Sequence, residues 1–263
     1  MTWWQAALGF ASGLLIAAVT APVGVSGAVF LLPVQLSVLQ VPSPAVTPTN
    51  LLFNVVATPG ALLRYGRRGE LGGALTRLLV LGTLPGVVAG AVLRVFVLPG
   101  GQVFRLLVAG LLLPLGLWLC LRTLRPSKGP APEPAGPSPR AITTLALAVG
   151  VVGGIYGIGG GSLLGPILAG RGLPVTRVAP AALASTFVTS IAGAATYAVL
   201  ALATPGDIAP EWALGLLCGL GGLIGGYLGA HLQPRLPEPG LRLLLGVLAV
   251  GVSGVYAVQG LAM

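Results

Sequence analysis

Charge is what this 263-residue chain has least of. It carries 14 basic and five acidic residues, 7% of the total, where a soluble domain carries about 25%. No charge stands between Met1 and Leu63, and further charge-free runs cover Ala141–Gly170, Val178–Gly206, Trp212–Ala230 and Leu243–Met263. A large soluble protein would need charged faces on the helices in those runs, so their absence excludes that class. Cysteine is nearly missing too. Cys120 and Cys218 both lie inside apolar segments and give neither a disulfide framework nor a metal-ligand spacing. The single histidine, His231, stands at a helix end beside Gln233 and Arg235 and reads as an interfacial residue. No cluster of His, Cys, Asp or Glu falls at membrane depth, which excludes a metal site, argues for no cofactor and speaks against an enzyme. No basic residue precedes the first apolar segment, so it lacks the n-region of a signal peptide.

What is present is apolar: 55% of residues by count, with a mean hydropathy of +0.98. Runs of about 20 such residues span a bilayer. The net charge of +9 does not point to nucleic acid, because the basic residues fall between or at the ends of the apolar segments. It reads as membrane orientation. The expected fold class is an all-α polytopic membrane protein made of two repeats, 1–124 and 141–263. Each half reads as five apolar pieces: Trp4–Ala21, Ala28–Leu39, Ala45–Arg64, Gly72–Phe96 and Val103–Arg122, then Ala141–Tyr156, Gly161–Gly170, Val178–Ala203, Glu211–His231 and Gly240–Gly260. Between them runs Arg125–Arg140, whose six prolines favour an extended, solvated linker. The second piece of each half is too short to span and is expected to be the return arm of a hairpin that dips into the membrane. Each repeat is then a glycine-broken hairpin helix pair plus three spanning helices. With that hairpin the two halves have inverted topology, and a cytoplasmic linker leaves 12 basic residues inside and two outside. One broken span instead of a hairpin gives parallel halves and a split of eight to six. The positive-inside rule favours the inverted repeats.

The two halves repeat one motif. Pro22-Val-Gly-Val-Ser-Gly-Ala-Val-Phe-Leu-Leu-Pro33 matches Tyr156-Gly-Ile-Gly-Gly-Gly-Ser-Leu-Leu-Gly-Pro166, with Gly24 and Gly157, Gly27 and Gly160, and Pro33 and Pro166 all 133 residues apart. Gly60 and Gly193 keep the same offset. Glycine-broken apolar segments at matching places in two halves point to a transporter's binding site. The backbone unwinds at such a run, and unwound backbone at membrane depth lines a cavity or is buried in protein. The following helix would offer free N–H groups and the positive end of its dipole, which attract an anion. Candidate binding residues are Gly24, Ser26 and Gly27 in the first break, with Gly157, Gly159, Gly160, Gly161 and Ser162 in the second. The third pieces add Asn50, Asn54, Ser185, Thr186 and Thr189, polar groups that need partners in apolar surroundings. Hydroxyls, amides and backbone N–H groups are donors, so the residues imply a small anion rather than a metal cation. Glycines at every fourth position, Gly82, Gly86, Gly90 and Gly221, Gly225, Gly229, read as close helix packing.

The block Gly-x-Gly-Gly-Gly-Ser-Leu-Leu-x-Pro, followed by Gly-Leu-Pro and an Ala-x-x-Ser-Thr run, resembles the TauE/SafE sulfite exporter family, also called TSUP, the 4-toluene sulfonate uptake permease family. The resemblance covers both halves apart from the linker. Gly157–Pro166 keeps the family pattern. The first copy departs from it, with Ser26 and Ala28 where glycines are common and Val29 in place of a serine, so the two repeats are expected to contribute unequally. The resemblance implies transport, with export favoured, of small sulfur-containing anions such as sulfite, thiosulfate or sulfoacetate, by a multi-pass protein of a bacterial inner membrane. Its expected partners are that inorganic or organosulfur anion and the lipid bilayer, with no nucleic acid. A channel-like anion pathway and a non-transport membrane scaffold stay open beside this reading. A scaffold would carry a sizeable soluble domain or long charged loops, and this chain has neither.

Overall fold

The structure, a computed structural model, describes residues 2–43, 45–98, 101–124, 138–171, 173–203 and 208–261. Ten α-helices account for most of them, and no strand occurs among the described residues. The first half holds α1 (Trp3–Thr20), α2 (Ala28–Pro33), α3 (Val46–Gly66), α4 (Ala74–Phe96) and α5 (Gly101–Leu124). The second holds α6 (Pro139–Tyr156), α7 (Leu164–Gly170), α8 (Val175–Ala203), α9 (Trp212–Leu232) and α10 (Glu238–Leu261). Among the described residues four stretches are long and apolar enough to cross a membrane: Trp3–Val23, Ala74–Phe96, Val175–Ala203 and Trp212–Arg235.

Two local departures from the sequence expectation have backbone causes. The arm expected as Ala28–Leu39 is α-helical only to Pro33 and continues through Val34–Val38 as a π turn, in which the Leu39 N–H donates to the Val34 carbonyl at 2.9 Å. A proline inside a helix withdraws one N–H from the ladder, and a π turn re-forms it one residue wider. The linker expected to run to Arg140 is helical at its end. Ser138 caps α6 by accepting from the Ala141 N–H, and Pro139 takes the first helical position, where its missing N–H costs nothing. Residues 125–137, most of that linker, lie outside the described residues.

Helices from the two halves interlock. α1 packs on α9 and α6 on α4; α3 packs on α9 and α8 on α4; α3 also meets α8, and α5 meets α10. Exchanging the halves leaves this set unchanged. Glycine makes the first two pairings possible. A Cβ added at Gly221 or Gly225 would lie 2.0 Å from the carbonyl oxygens of Phe10 and Leu14. At Gly86 and Gly90 it would lie 2.3 and 2.1 Å from those of Leu147 and Val151. The register rises together along both pairs, so both are parallel. In contrast, Gly116 of α5 meets Gly246 and Val250 of α10 while Ser253 bonds Ala109, so that pair is antiparallel. The same holds for α3 and α8: Tyr65 clusters with Val175, and Leu51 with Tyr197. Gln5 near the start of α1 and Leu39–Pro42 after α2 line one cavity of about 210 Å³ with Glu211.

Candidate functional site

Both breaks are built the same way. α1 ends in a 3₁₀ turn, Ala21–Val23, capped by Gly24 at φ 75°, and α6 ends at Gly157 with φ 70°. These are left-handed caps that glycine adopts without strain. Each also sits against backbone: a Cβ at Gly24 would be 2.5 Å from Ala179 Cα, and one at Gly157 would be 2.2 Å from the Thr47 carbonyl oxygen. Val25 N–H then bonds the Thr20 carbonyl at 3.2 Å, and Ile158 N–H bonds that of Gly153 at 3.1 Å. The first turn meets the start of α7, because a Cβ at Gly165 would lie 2.6 Å from the Gly24 carbonyl oxygen.

α3 supplies the polar groups of the first break. Ser26 Oγ donates to Asn54 Oδ1 and accepts from the Ala28 N–H at 3.1 Å. Asn50 Nδ2 donates to the Ala28 carbonyl at 2.9 Å, while its Oδ1 is buried without a hydrogen-bond partner. Asn54 Nδ2 reaches across to the Gly157 carbonyl at 3.4 Å, so this one side chain touches both breaks. Ser26, Gly27 and Asn54 line a cavity of about 20 Å³ together with Thr20 and Thr58, room for about one water. Thr20 Oγ1 is buried there without a partner.

α8 supplies those of the second break. The Gly160 N–H donates to Thr189 Oγ1 at 2.9 Å. Ser162 Oγ donates to the Ile158 carbonyl and lies 3.4 Å from Thr186 Oγ1. Ser185 Oγ shares a 2.9 Å hydrogen bond with Thr83 Oγ1 of α4. Gly159 and Gly161 lie against α8, where a Cβ would come 2.7 Å from Thr186 Cγ2 and 1.9 Å from the Ala182 carbonyl oxygen respectively. The expected residues thus form two groups, one around Ser26, Asn50 and Asn54 and one around Gly159–Ser162, Ser185, Thr186 and Thr189. Asn54 joins them.

The expected helix-end donors look different in detail. The N–H groups of Ala28, Val29, Phe30 and Leu31 are bonded to Ser26 Oγ and to the carbonyls of Ser26 and Gly27. α2 and α7 have six and seven residues, less than the length that sums to a full macrodipole. At the first break the hydroxyls of Thr20, Ser26 and Thr58 and the amide of Asn54 line the cavity.

The family described as Sulfite exporter TauE/SafE matches residues 9–256, which include both breaks and the polar residues around them. The chain belongs to the TauE/SafE family. No curated relative and no solved structure matches it. TauE/SafE proteins are transporters rather than enzymes, so this is a multi-pass membrane protein of a sulfite exporter-type family with a small-anion substrate.

In this TauE/SafE chain several residues matter that the sequence reading did not single out. Thr83 touches the second break directly: a Cβ at Gly160 would lie 2.4 Å from Thr83 Cβ. It was hidden among Gly82, Pro85 and Gly86, a stretch whose glycine spacing reads as packing. Tyr65 Oη donates to the Ala21 carbonyl and Tyr197 Oη to that of Gly154, both at 3.1 Å. Their acceptors are 133 residues apart, so in each half a tyrosine of the third helix is tied to the chain just before that half's own break. Gln35, in the π turn, is fully buried and neither of its amide heavy atoms has a hydrogen-bond partner. Arg94, at the end of the expected piece Gly72–Phe96, is one of the two basic residues counted outside. It lies inside α4, fully buried, with its guanidinium donating to the Leu98 carbonyl and to Ser43 Oγ. The helix C-terminus favours a cation there, and the long stem lets the side chain fold back along the bundle.

Proposed function

We propose that the chain exports small sulfur oxyanions such as sulfite, thiosulfate or sulfoacetate from a bacterial cytoplasm, by alternating access between two inverted halves. Asn54 is the observation that carries this reading: it bonds Ser26 in one break and the Gly157 carbonyl in the other. A substrate held there contacts both halves and is released when they part. Thr20, Ser26 and Thr58 line the same cavity as Asn54 and add hydroxyl groups whose protons suit an anion. The cavity of about 20 Å³ is smaller than any of these anions, so the described conformation is a closed one in which Ser26 and Asn54 satisfy each other.

Inversion is supported by the antiparallel run of α3 against α8 and of α5 against α10, since equivalent helices of inverted repeats point in opposite directions. The hairpin reading is supported by Gln5 and Leu39–Pro42 lining one cavity, which returns α2 to the end where α1 began. The test is uptake of labelled sulfite, thiosulfate and sulfoacetate into proteoliposomes. At least one is expected to accumulate above empty vesicles and to be lost in Asn54→Asp. Equal accumulation with and without protein for all three anions refutes the proposal.

A further inference from the structure

A second site stands apart from the breaks, at the C-terminal end of α3. Arg64, Arg67 and Arg68 follow one another there. Arg67 Nη1 donates to Tyr227 Oη of α9 at 3.1 Å, and its guanidinium carbon lies 5.9 Å from that ring's centroid. Arg68 Nη2 donates to the His231 carbonyl at 3.2 Å. Arg64, Arg235 and Arg68 all lie within electrostatic reach of His231, and Arg64 Nε is buried without a hydrogen-bond partner. Glu70 is the acid of this corner, within reach of Tyr65 and outnumbered by the four arginines. Arg67 forms the lip of an open groove of about 630 Å³ lined by Pro59, Leu62, Leu63, Leu71, Phe187 and Leu223. Leu63 and Leu71 are 54% and 41% exposed. The lining from Pro59 to Gly66 runs about 10 Å along α3 at 1.5 Å per residue.

We propose that this groove holds one acyl chain of an anionic phospholipid, with its phosphate on Arg67 and Arg64. A fixed guanidinium beside an apolar trough matches a molecule with a charged head and a hydrocarbon tail. Arginine's planar fork suits phosphate oxygens, and clustered arginines at a membrane boundary favour anionic headgroups. A second copy of the chain is the poorer occupant, because two such corners facing each other would set eight arginines together and repel. The inference rests on membrane insertion alone and is independent of which anion is transported.

The test is native mass spectrometry of the delipidated full chain in detergent, titrated with phosphatidylglycerol or with phosphatidylcholine of the same acyl length. Phosphatidylglycerol is expected to be retained more tightly. Arg67→Gln is expected to lower that retention about fivefold, the effect of one arginine near a charged surface, and to leave phosphatidylcholine unchanged. Gly66→Leu, which fills the groove beside Leu71, is expected to lower retention of both lipids. Arg140→Gln, at the start of α6, is expected to change neither. Arg67 is exposed, so its replacement costs only the surface contact with Tyr227 and decides the matter even if Gly66→Leu misfolds. Equal retention of the two lipids overturns the proposal, as does a phosphatidylglycerol preference that survives Arg64→Gln and Arg67→Gln together. A dimer signal that Gly66→Leu abolishes also overturns it and assigns the groove to a second copy.

Discussion

An asparagine amide offers an acceptor oxygen and two N–H donors, and Asn54 directs them into different halves of the chain. Asn54→Asp separates the two roles. It keeps the acceptor for Ser26, loses the donor to the Gly157 carbonyl at a cost of about 0.5–1.5 kcal/mol, and places a carboxylate where an anion should bind. Like-charge juxtaposition costs several kcal/mol, so transport is expected to fall at least about tenfold, and because Asn54 is fully buried the new carboxylate is expected to lower the melting temperature in detergent as well. Unchanged uptake would remove Asn54 from the site. Asn50 and Asn54 were legible in the sequence because an amide in an apolar run has to find a partner. Gly160 was legible as a close approach, but not what approaches it. Its neighbour is Thr83 of α4, and nothing in local sequence ties position 83 to position 160. Gly160→Val therefore collides with Thr83 inside the bundle, and its effect on transport is inseparable from lost packing.

At the level of single elements, nine of the ten helices lie within three residues of the limits drawn from hydropathy, charge and proline, and α2 stops six residues short of its expected end at Leu39. They were readable because membrane segments announce themselves by composition. Partners were not: glycine at every fourth position marks which face packs closely, yet not that α4 takes α6 and α1 takes α9. The tyrosine ties were invisible for the same reason, since Tyr65 and Tyr197 only acquire meaning once their helices lie beside Ala21 and Gly154. Each tie removes one carbonyl from the list of buried acceptors at a helix end. Tyr65→Phe and Tyr197→Phe are each expected to cost about 1 kcal/mol, seen as similar downward shifts in thermal unfolding. Markedly unequal shifts would show that the halves are not equivalent at this point.

For the whole molecule, the proposed inverted arrangement, with its split of 12 basic residues to two, gives an expected sidedness. Ser127→Cys, on a background of Cys120→Ala and Cys218→Ala, is expected to resist a membrane-impermeant thiol reagent in intact cells and to react once they are opened. Ready labelling of intact cells would put the linker outside. Energetics follow from the same scarcity of charge. Among the described residues the one charged side chain counted as fully buried is Arg94, and no carboxylate or imidazole is counted with it; the half-buried Glu70 lies beyond the end of α3, outside both breaks. Export of an anion is therefore expected to move net charge. An interior at about −100 mV drives each negative charge outward by about 2.3 kcal/mol, and a dianion by twice that. Currents on a solid-supported membrane, with an anion gradient and equal pH on both sides, test this. Electroneutral flux would contradict it.

Interlocking also sets a timetable for biosynthesis. Gly86 meets Leu147, 61 positions further on, whereas Gly13 meets Cys218, 205 positions further on. At about 5–20 residues per second, α4 waits on the order of 3–12 s for its partner and α1 on the order of 10–40 s. Two pairings that look alike in the finished bundle therefore close at different moments. Until α9 emerges, the nascent first half keeps the small-residue face of Gly9 and Gly13 against lipid, so the pace of the ribosome decides when that seam can shut.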